Sequence, residues 1–321
     1  MLIVAWETTA ACNLKCGYCR ACASAAPEKD ELATDEAQSF IDSITPLQPM
    51  LILSGGEPLL RPDIFQLARY AAARGLRVSL ATNGTLLTPQ IADEIAASGI
   101  GRVSISLDGA TAEMHDKNRG FGSFEAATKG LEYLRGKVDF QINFTITNRN
   151  ESEIFEVFRL AETAGAVALH FFFLVPTGRG RERDLITPKR QEELLRMIDG
   201  QRAKTKLEVQ VTCAPQYALV AAPERKKRRG GCLAGKNFVF VSRRGEVYPC
   251  GYLPVKAGSI REKDFIEIWK NSPVLESLRT HPLKGKCGSC SHSNICGGCR
   301  ARAWAQTGDF LDFDPQCTLA V

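Results

Sequence analysis

Thr8 to Cys22, TTAACNLKCGYCRAC, is the stretch on which the reading of the chain turns. It follows the apolar run Leu2-Ile3-Val4-Ala5-Trp6, which has the length and composition of a buried β-strand. Cys12, Cys16 and Cys19 stand in a C-x3-C-x2-C spacing, with Tyr18 immediately before the third cysteine. Three thiolates on one tight loop can hold three irons of a [4Fe-4S] cube and leave the fourth iron open to a small molecule. Zinc is the competing occupant. It takes four ligands, commonly in paired C-x2-C knuckles, and Cys22 supplies a fourth thiol nearby.

Bulk properties narrow the compartment and the class. The chain has 321 residues, enough for one large domain and a smaller one, with 44% hydrophobic and 24% charged residues, an ordinary globular balance. No apolar run reaches the length of a membrane span, and the amino terminus lacks the pattern of a secretory signal, so cytoplasm is the expected location. Twelve cysteines in that compartment argue for metal or redox chemistry and against a disulfide framework. The net charge of +5 permits an anionic substrate. The run Arg225-Lys226-Lys227-Arg228-Arg229 has no interleaved aromatics and precedes Gly230-Gly231, so it is expected to be a solvated linker and not a nucleic-acid site.

From the first strand to Thr212, strand-like and helix-like segments alternate. Thr34 is placed to cap a helix from Asp35. Strands are expected at Leu51–Leu53, Arg77–Ala81, Arg102–Leu107, Phe140–Thr147 and Ala168–Val175, with helices between them and Gly75 as a left-handed helix stop. Six β-α units with short connections imply a parallel sheet with right-handed crossovers, too few to close an eight-stranded barrel. The expected fold class is α/β, an open (β/α)6 partial barrel with its chemistry at the strand carboxyl ends. A helix and the strand Lys206–Thr212 finish it, placing the first domain at residues 1–210 and a cysteine-rich second at 211–321.

At the same rim stands Gly55-Gly56-Glu57-Pro58. Two glycines allow close backbone approach to a ligand, and a carboxylate beside them can meet an ammonium group. Together with the cysteine loop, this segment resembles the radical S-adenosylmethionine (SAM) superfamily. The resemblance implies a [4Fe-4S] cluster on Cys12, Cys16 and Cys19 whose open iron chelates SAM, and cleavage of SAM to a 5′-deoxyadenosyl radical. It further implies that Gly55-Gly56-Glu57-Pro58 holds the methionyl amino group, that Asn83, Ser106 and Arg119 contact the SAM ribose or carboxylate, and that Tyr18 packs on the adenine. Each of these last four residues also reads as an ordinary turn, cap or packing residue.

Beyond the barrel the cysteines return as Cys213, Cys232, Cys250, Cys287, Cys290, Cys296, Cys299 and Cys317. Phe238–Val241 and Glu246–Tyr248 read as a β-hairpin. This region resembles the SPASM extension, which carries auxiliary iron–sulfur clusters. Here only Gly297 and Gly298 separate the last two cysteines of the group, where that pattern has three residues. Carried over by position, Cys287, Cys290, Cys296 and Cys317 hold one cluster, and Cys232, Cys250 and Cys299 the other, with Cys213 as its fourth ligand. A zinc ribbon over Cys287–Cys299 is the alternative, and it leaves Cys232, Cys250 and Cys317 without a use. Cys22 is left over, either as a buried thiol or as part of the substrate pocket.

The longest shared segments are Cys16 to Ala21, Phe172 to Gly180, Thr212-Cys213-Ala214-Pro215 and Cys296 to Asp309, with Trp304 where tyrosine is expected. They are most similar to the radical-SAM haem synthases of the sirohaem-derived pathway. That likeness implies oxidative decarboxylation of two propionates of iron-coproporphyrin III to vinyl groups, giving haem b, with an electron donor such as a ferredoxin or flavodoxin. Arg20, Arg179 and Arg181 suit the carboxylates of an anionic tetrapyrrole, the Phe-rich sixth strand suits its apolar face, and His170 reads as a core histidine. Competing functions are a SPASM maturase of a ribosomal peptide, another tetrapyrrole-modifying enzyme such as one of haem d1 formation, and a non-catalytic electron carrier. The absence of room for a leader-binding domain before the first strand favours a small molecule over a peptide. Gly55-Gly56-Glu57-Pro58 has no use in a carrier.

Overall fold

The computed structural model describes residues 1–221 and 231–318; the basic run Arg225–Arg229 lies outside the described residues. One sheet organises them. Its strands are β1 (Ile3–Glu7), β2 (Met50–Ser54), β3 (Arg77–Thr82), β4 (Ile100–Ser106), β5 (Phe140–Ile146), β6 (Ala168–Phe173), β7 (Glu208–Thr212), β8 (Phe238–Val241), β9 (Glu246–Tyr248) and β10 (Gly258–Ser259). They lie in the order β10-β9-β8-β1-β2-β3-β4-β5-β6-β7, so both edges stay open and the barrel does not close. β1 to β7 are parallel throughout. The expected partial barrel is therefore present.

Side-chain alternation explains how the sheet buries itself. Val4, Trp6, Leu51, Leu53, Val103, Ile105, Ile142, Phe144, Leu169 and Phe171 are all fully buried in the helix-facing core. Trp6 meets Phe40 of the helix Thr34–Ile44 edge-on at 5.8 Å between ring centroids, and Phe171 meets Phe158 of the helix Ile154–Ala164 at 5.3 Å. Glu7, Ser54, Ser106, Asn143, His170 and Phe172 take the alternate positions on the other face. Phe171 and Phe173 thus belong to the core, and of the three successive phenylalanines only Phe172 is placed to wall a substrate.

The carboxyl-terminal hairpin does not stand apart from the barrel. β8 pairs in parallel with β1, Ile3 opposite Phe238 and Trp6 opposite Val241, and β9 returns antiparallel to it. Local expectations differ in two places. Thr34 does not cap its helix; Ala33 precedes it, and the Thr34 hydroxyl donates to Asp63 at 2.7 Å. A helix at Ala112–Arg119 was not foreseen, because its polar sequence offers no apolar stripe and only His115 is buried.

Candidate active site and auxiliary cysteine centres

The cysteine loop leaves the end of β1 and is pinned at three points. The Gly56 amide donates to Thr9 O at 2.8 Å and the Glu57 amide to Ala11 O at 2.7 Å, so the Gly55-Gly56-Glu57-Pro58 turn after β2 lies against the loop's start. A Cβ on Gly56 would stand 2.6 Å from Ala10 O and nearer still to Ala11 O, which makes glycine obligatory there. The Gly17 amide donates to Asn118 O at 3.0 Å, bracing the loop's middle on the helix Ala112–Arg119. The third point is Arg179, after β6: its amide donates to Cys19 O at 3.0 Å, its Nε to Cys16 O at 2.9 Å and its Nη1 to Ala23 O at 3.2 Å. The guanidinium expected to receive substrate carboxylate is instead committed to backbone carbonyls.

Glu57 also departs from expectation. Its carboxylate is fully buried and accepts from Thr82 Oγ1 at 2.6 Å, the Asn83 amide at 2.7 Å and the Leu59 amide at 3.2 Å. Burial, only partly offset by those donors, pushes its pKa up to about 6. It is an anchor between the turn and β3.

Around the loop the other foreseen residues gather. Asn83 Nδ2 donates to Asn13 Oδ1 at 2.9 Å and lies 3.9 Å from Cys12 Sγ. Arg119 pairs with Asp108, a fully buried carboxylate at the end of β4 that also accepts from the Thr145 amide at 2.9 Å. Burial would raise Asp108, but the adjoining Arg119 charge outweighs it and holds the carboxyl below its ordinary range. Tyr18 buries its hydroxyl, where desolvation and then the neighbouring Asp108 carboxylate raise its pKa. Ser106 ends β4 beside Asn143 of β5. Cys22 is exposed, with φ of 49°, so it is no buried thiol.

Arg20, next to Cys19, turns toward the carboxyl-terminal region. Its guanidinium lies 4.3 Å from the Phe240 ring centroid and 3.5 Å from Glu7, and a Cβ on Gly251 would touch its Cδ at 3.2 Å. Glu7 also pairs with Arg243 at 2.7 Å. Arg181 is exposed, and its Nη1 donates to Gly178 O at 3.2 Å. Arg243 was not singled out in the sequence, since a hairpin arginine carries no signal that it faces inward.

The auxiliary cysteines fall into two groups. The Cys213 thiol hydrogen-bonds Cys299, Cys250 stands close enough to both for their charges to interact, and Cys232 stands as close to Cys250 and Cys299. Cys213 takes a φ of 62°, a left-handed turn that carries the chain off β7. Cys287, Cys290, Cys296 and Cys317 line a second, small cavity with Asp314. Burial raises Cys250 and Cys296, the latter to about 12, whereas hydrogen bonding from Cys213 and the charge of Arg302 lower Cys299. An all-thiol donor set in half-buried to buried positions fits iron–sulfur clusters, since bound metal holds such thiols deprotonated. Between the groups, Arg302 reaches Cys213 O and clasps Asp314, whose Oδ2 accepts the Cys299 amide at 2.7 Å. Arg300 Nη2 lies 3.6 Å from Cys287 Sγ.

An open α/β barrel with a three-cysteine loop on its rim, joined to two four-cysteine groups, defines an iron–sulfur enzyme of the radical SAM class. The pattern of the radical SAM superfamily matches residues 6–161, and that of the SPASM iron–sulfur cluster-binding domain matches residues 232–291. A Methanosarcina barkeri protein named AdoMet-dependent heme synthase is 49% identical, over 98% of this chain and 95% of its own. One of the same name from Oleidesulfovibrio alaskensis is 41% identical, over 98% and 87%. The crystal structure of Streptococcus suis SuiB bound to S-adenosylmethionine superposes with a TM-score of 0.81 over 99% of this chain and 77% of that one, at 19% identity, a likeness of fold. The chain belongs to the radical SAM superfamily, in the family of the AdoMet-dependent haem synthases. Its cofactors are SAM, a [4Fe-4S] cluster and auxiliary iron–sulfur clusters. No helix among the described residues is long and apolar enough to cross a membrane.

Proposed function

We propose that this chain oxidatively decarboxylates two propionates of iron-coproporphyrin III to vinyl groups, giving haem b. The observation that carries this reading is likeness along 98% of the chain to proteins named for haem synthesis. Cys12, Cys16 and Cys19 would hold the SAM cluster, with the Gly55-Gly56 backbone, Asn83, Ser106 and Arg119 around SAM. When bound, this pair supplies hydrogen-atom removal from an unactivated carbon. Each propionate loses one hydrogen atom, CO2 and one further electron. Cys213, Cys232, Cys250 and Cys299 would hold one auxiliary cluster, and Cys287, Cys290, Cys296 and Cys317 a second, supplying an acceptor for that electron.

Arg20 and Arg181 would receive the substrate's carboxylates. Arg20 leans on Phe240, which with Phe172 offers apolar surface for the macrocycle. Glu7 pairs with both Arg20 and Arg243 and so limits the positive charge there. A ferredoxin or flavodoxin is the proposed donor. The test is anaerobic incubation of the reconstituted protein with iron-coproporphyrin III, SAM and a reductant. Loss of two HCOOH equivalents from the porphyrin is expected. Formation of 5′-deoxyadenosine with the porphyrin's mass unchanged would overturn the tetrapyrrole reading and favour a peptide substrate.

A further inference from the structure

Pro176-Thr177-Gly178-Arg179 does more than connect β6 to the next helix. Gly178 takes a φ of +65°, and a Cβ there would stand 2.5 Å from Cys19 O and nearer to Arg20 O, so the turn lies flat on the cysteine loop. From that platform one residue, Arg179, engages three carbonyls of the loop: Cys16, Cys19 and Ala23. Its remaining nitrogen, Nη2, is buried and has no hydrogen-bond partner among the described residues. A buried charged donor is costly to leave unpaired, so this nitrogen calls for an acceptor that the described residues do not supply.

The direction of that nitrogen follows from the guanidinium itself. The group is planar, and Nε–H and one Nη2–H leave from the same edge. Arg61, Arg261 and Arg302 use that edge as a two-pronged clasp on a carboxylate. In Arg179 the Nε prong rests on Cys16 O, so the Nη2 prong points to the same side of the loop.

We propose that Arg179 is a positioning residue that donates this N–H to sulfur of the cluster held by Cys12, Cys16 and Cys19 and thereby sets the cluster's reduction potential. The inference rests on the ligand assignment made above. Hydrogen bonds to cluster sulfur favour the more negatively charged, reduced state, so removing this one makes the cluster harder to reduce. The same contacts hold Cys16 and Cys19 in register with β6, which links the potential to the rim that borders the substrate.

The test uses reconstituted holoenzyme labelled with 15N-arginine. Pulsed EPR of the reduced SAM cluster should show a 15N coupling that Arg179→Lys abolishes. EPR-monitored redox titration of Arg179→Lys and Arg179→Gln should shift the SAM cluster's reduction equilibrium at least tenfold toward the oxidised state, about 59 mV for one electron. The auxiliary-cluster signals serve as internal reference and should stay in place. A labelled wild-type cluster without 15N coupling overturns the proposal even if every variant fails to assemble, and an unshifted potential in an assembled variant does the same. Absence of the SAM-cluster signal from wild type after reconstitution would instead sink the ligand assignment.

Discussion

Arg302 and Asp314 meet edge to edge, Nε and Nη2 each 3.0 Å from a different carboxylate oxygen, with side-chain exposures of 1% and 0%. The pair sits between the two auxiliary cysteine groups and holds backbone from both: Cys213 O on the arginine, the Cys299 and Gln316 amides on the aspartate. Breaking a buried pair by removing one partner leaves an uncompensated charge and costs about 3–5 kcal/mol. Arg302→Leu and Asp314→Asn should therefore lower the unfolding midpoint and the iron bound per chain, while the EPR signal of the SAM cluster survives. Wild-type iron content and an unchanged midpoint in both variants would remove this pair from its role.

Gly56→Ala is expected to be far more damaging than its size suggests. The added methyl group collides with backbone oxygens of Ala10 and Ala11, which have no side-chain freedom to yield, so the turn must part from the cysteine loop. SAM affinity and 5′-deoxyadenosine formation should fall at least tenfold, about 1.4 kcal/mol or more. Gly200→Ala makes a fair control: it lies inside the helix Pro188–Arg202 with nothing near its missing Cβ. Alanine there should stabilise by about 1 kcal/mol and leave turnover alone.

The three cysteine sets should separate by assay. Alanine at Cys12, Cys16 or Cys19 is expected to abolish 5′-deoxyadenosine formation. Alanine at Cys290, or at Cys213, should spare SAM cleavage and stop the vinyl product, with a loss of bound iron confined to one auxiliary signal. Should Cys290→Ala retain full iron and full product yield, its place as a ligand is wrong.

Two histidines give the protein a predictable acid sensitivity. Desolvation lowers both His115 and His170 to about 4, from an ordinary value near 6.5. Between those values the unfolded chain binds protons that the folded chain does not. Stability from these groups is fully present above pH 6.5 and falls as pH drops toward 4, by about 1.4 kcal/mol per pH unit for each histidine. Denaturant midpoints of anaerobic protein between pH 5 and 7 should show this slope, and His170→Gln should flatten it by about one proton. An identical slope in the variant would refute the assignment to His170.

Much of this architecture was legible because it is written in local patterns. The strands of the barrel announce themselves by short apolar runs between turn residues, whereas the grouping of the auxiliary thiols came from likeness to the SPASM extension, since spacing alone would put Cys296 and Cys299 together. What stayed hidden is contact at long range. Nothing in Pro176-Thr177-Gly178-Arg179 says that its arginine turns back onto the cysteine loop, because an exposed carboxylate-binding arginine and a buried carbonyl-binding one share the same letter. Glu57 misled for a related reason: its neighbours advertised a ligand site, whereas the donors to its carboxylate, the Thr82 hydroxyl and the Asn83 amide, come from the next strand and the turn after it. The Arg302–Asp314 pair, and the role of Asp108 under Arg119, likewise depend on segments that meet only in the folded chain.

The parallel pairing of β1 with β8 has a consequence for biosynthesis. Glu7 and Arg243, which flank that seam, are 236 residues apart in sequence. While the ribosome is still making the middle of the chain, the strand that leads into the cysteine loop carries an unsatisfied flank, the kind of surface that recruits stray strands. Only arrival of the last third covers it. The loop that follows this strand therefore gains its second flanking support late, when β8 has been made.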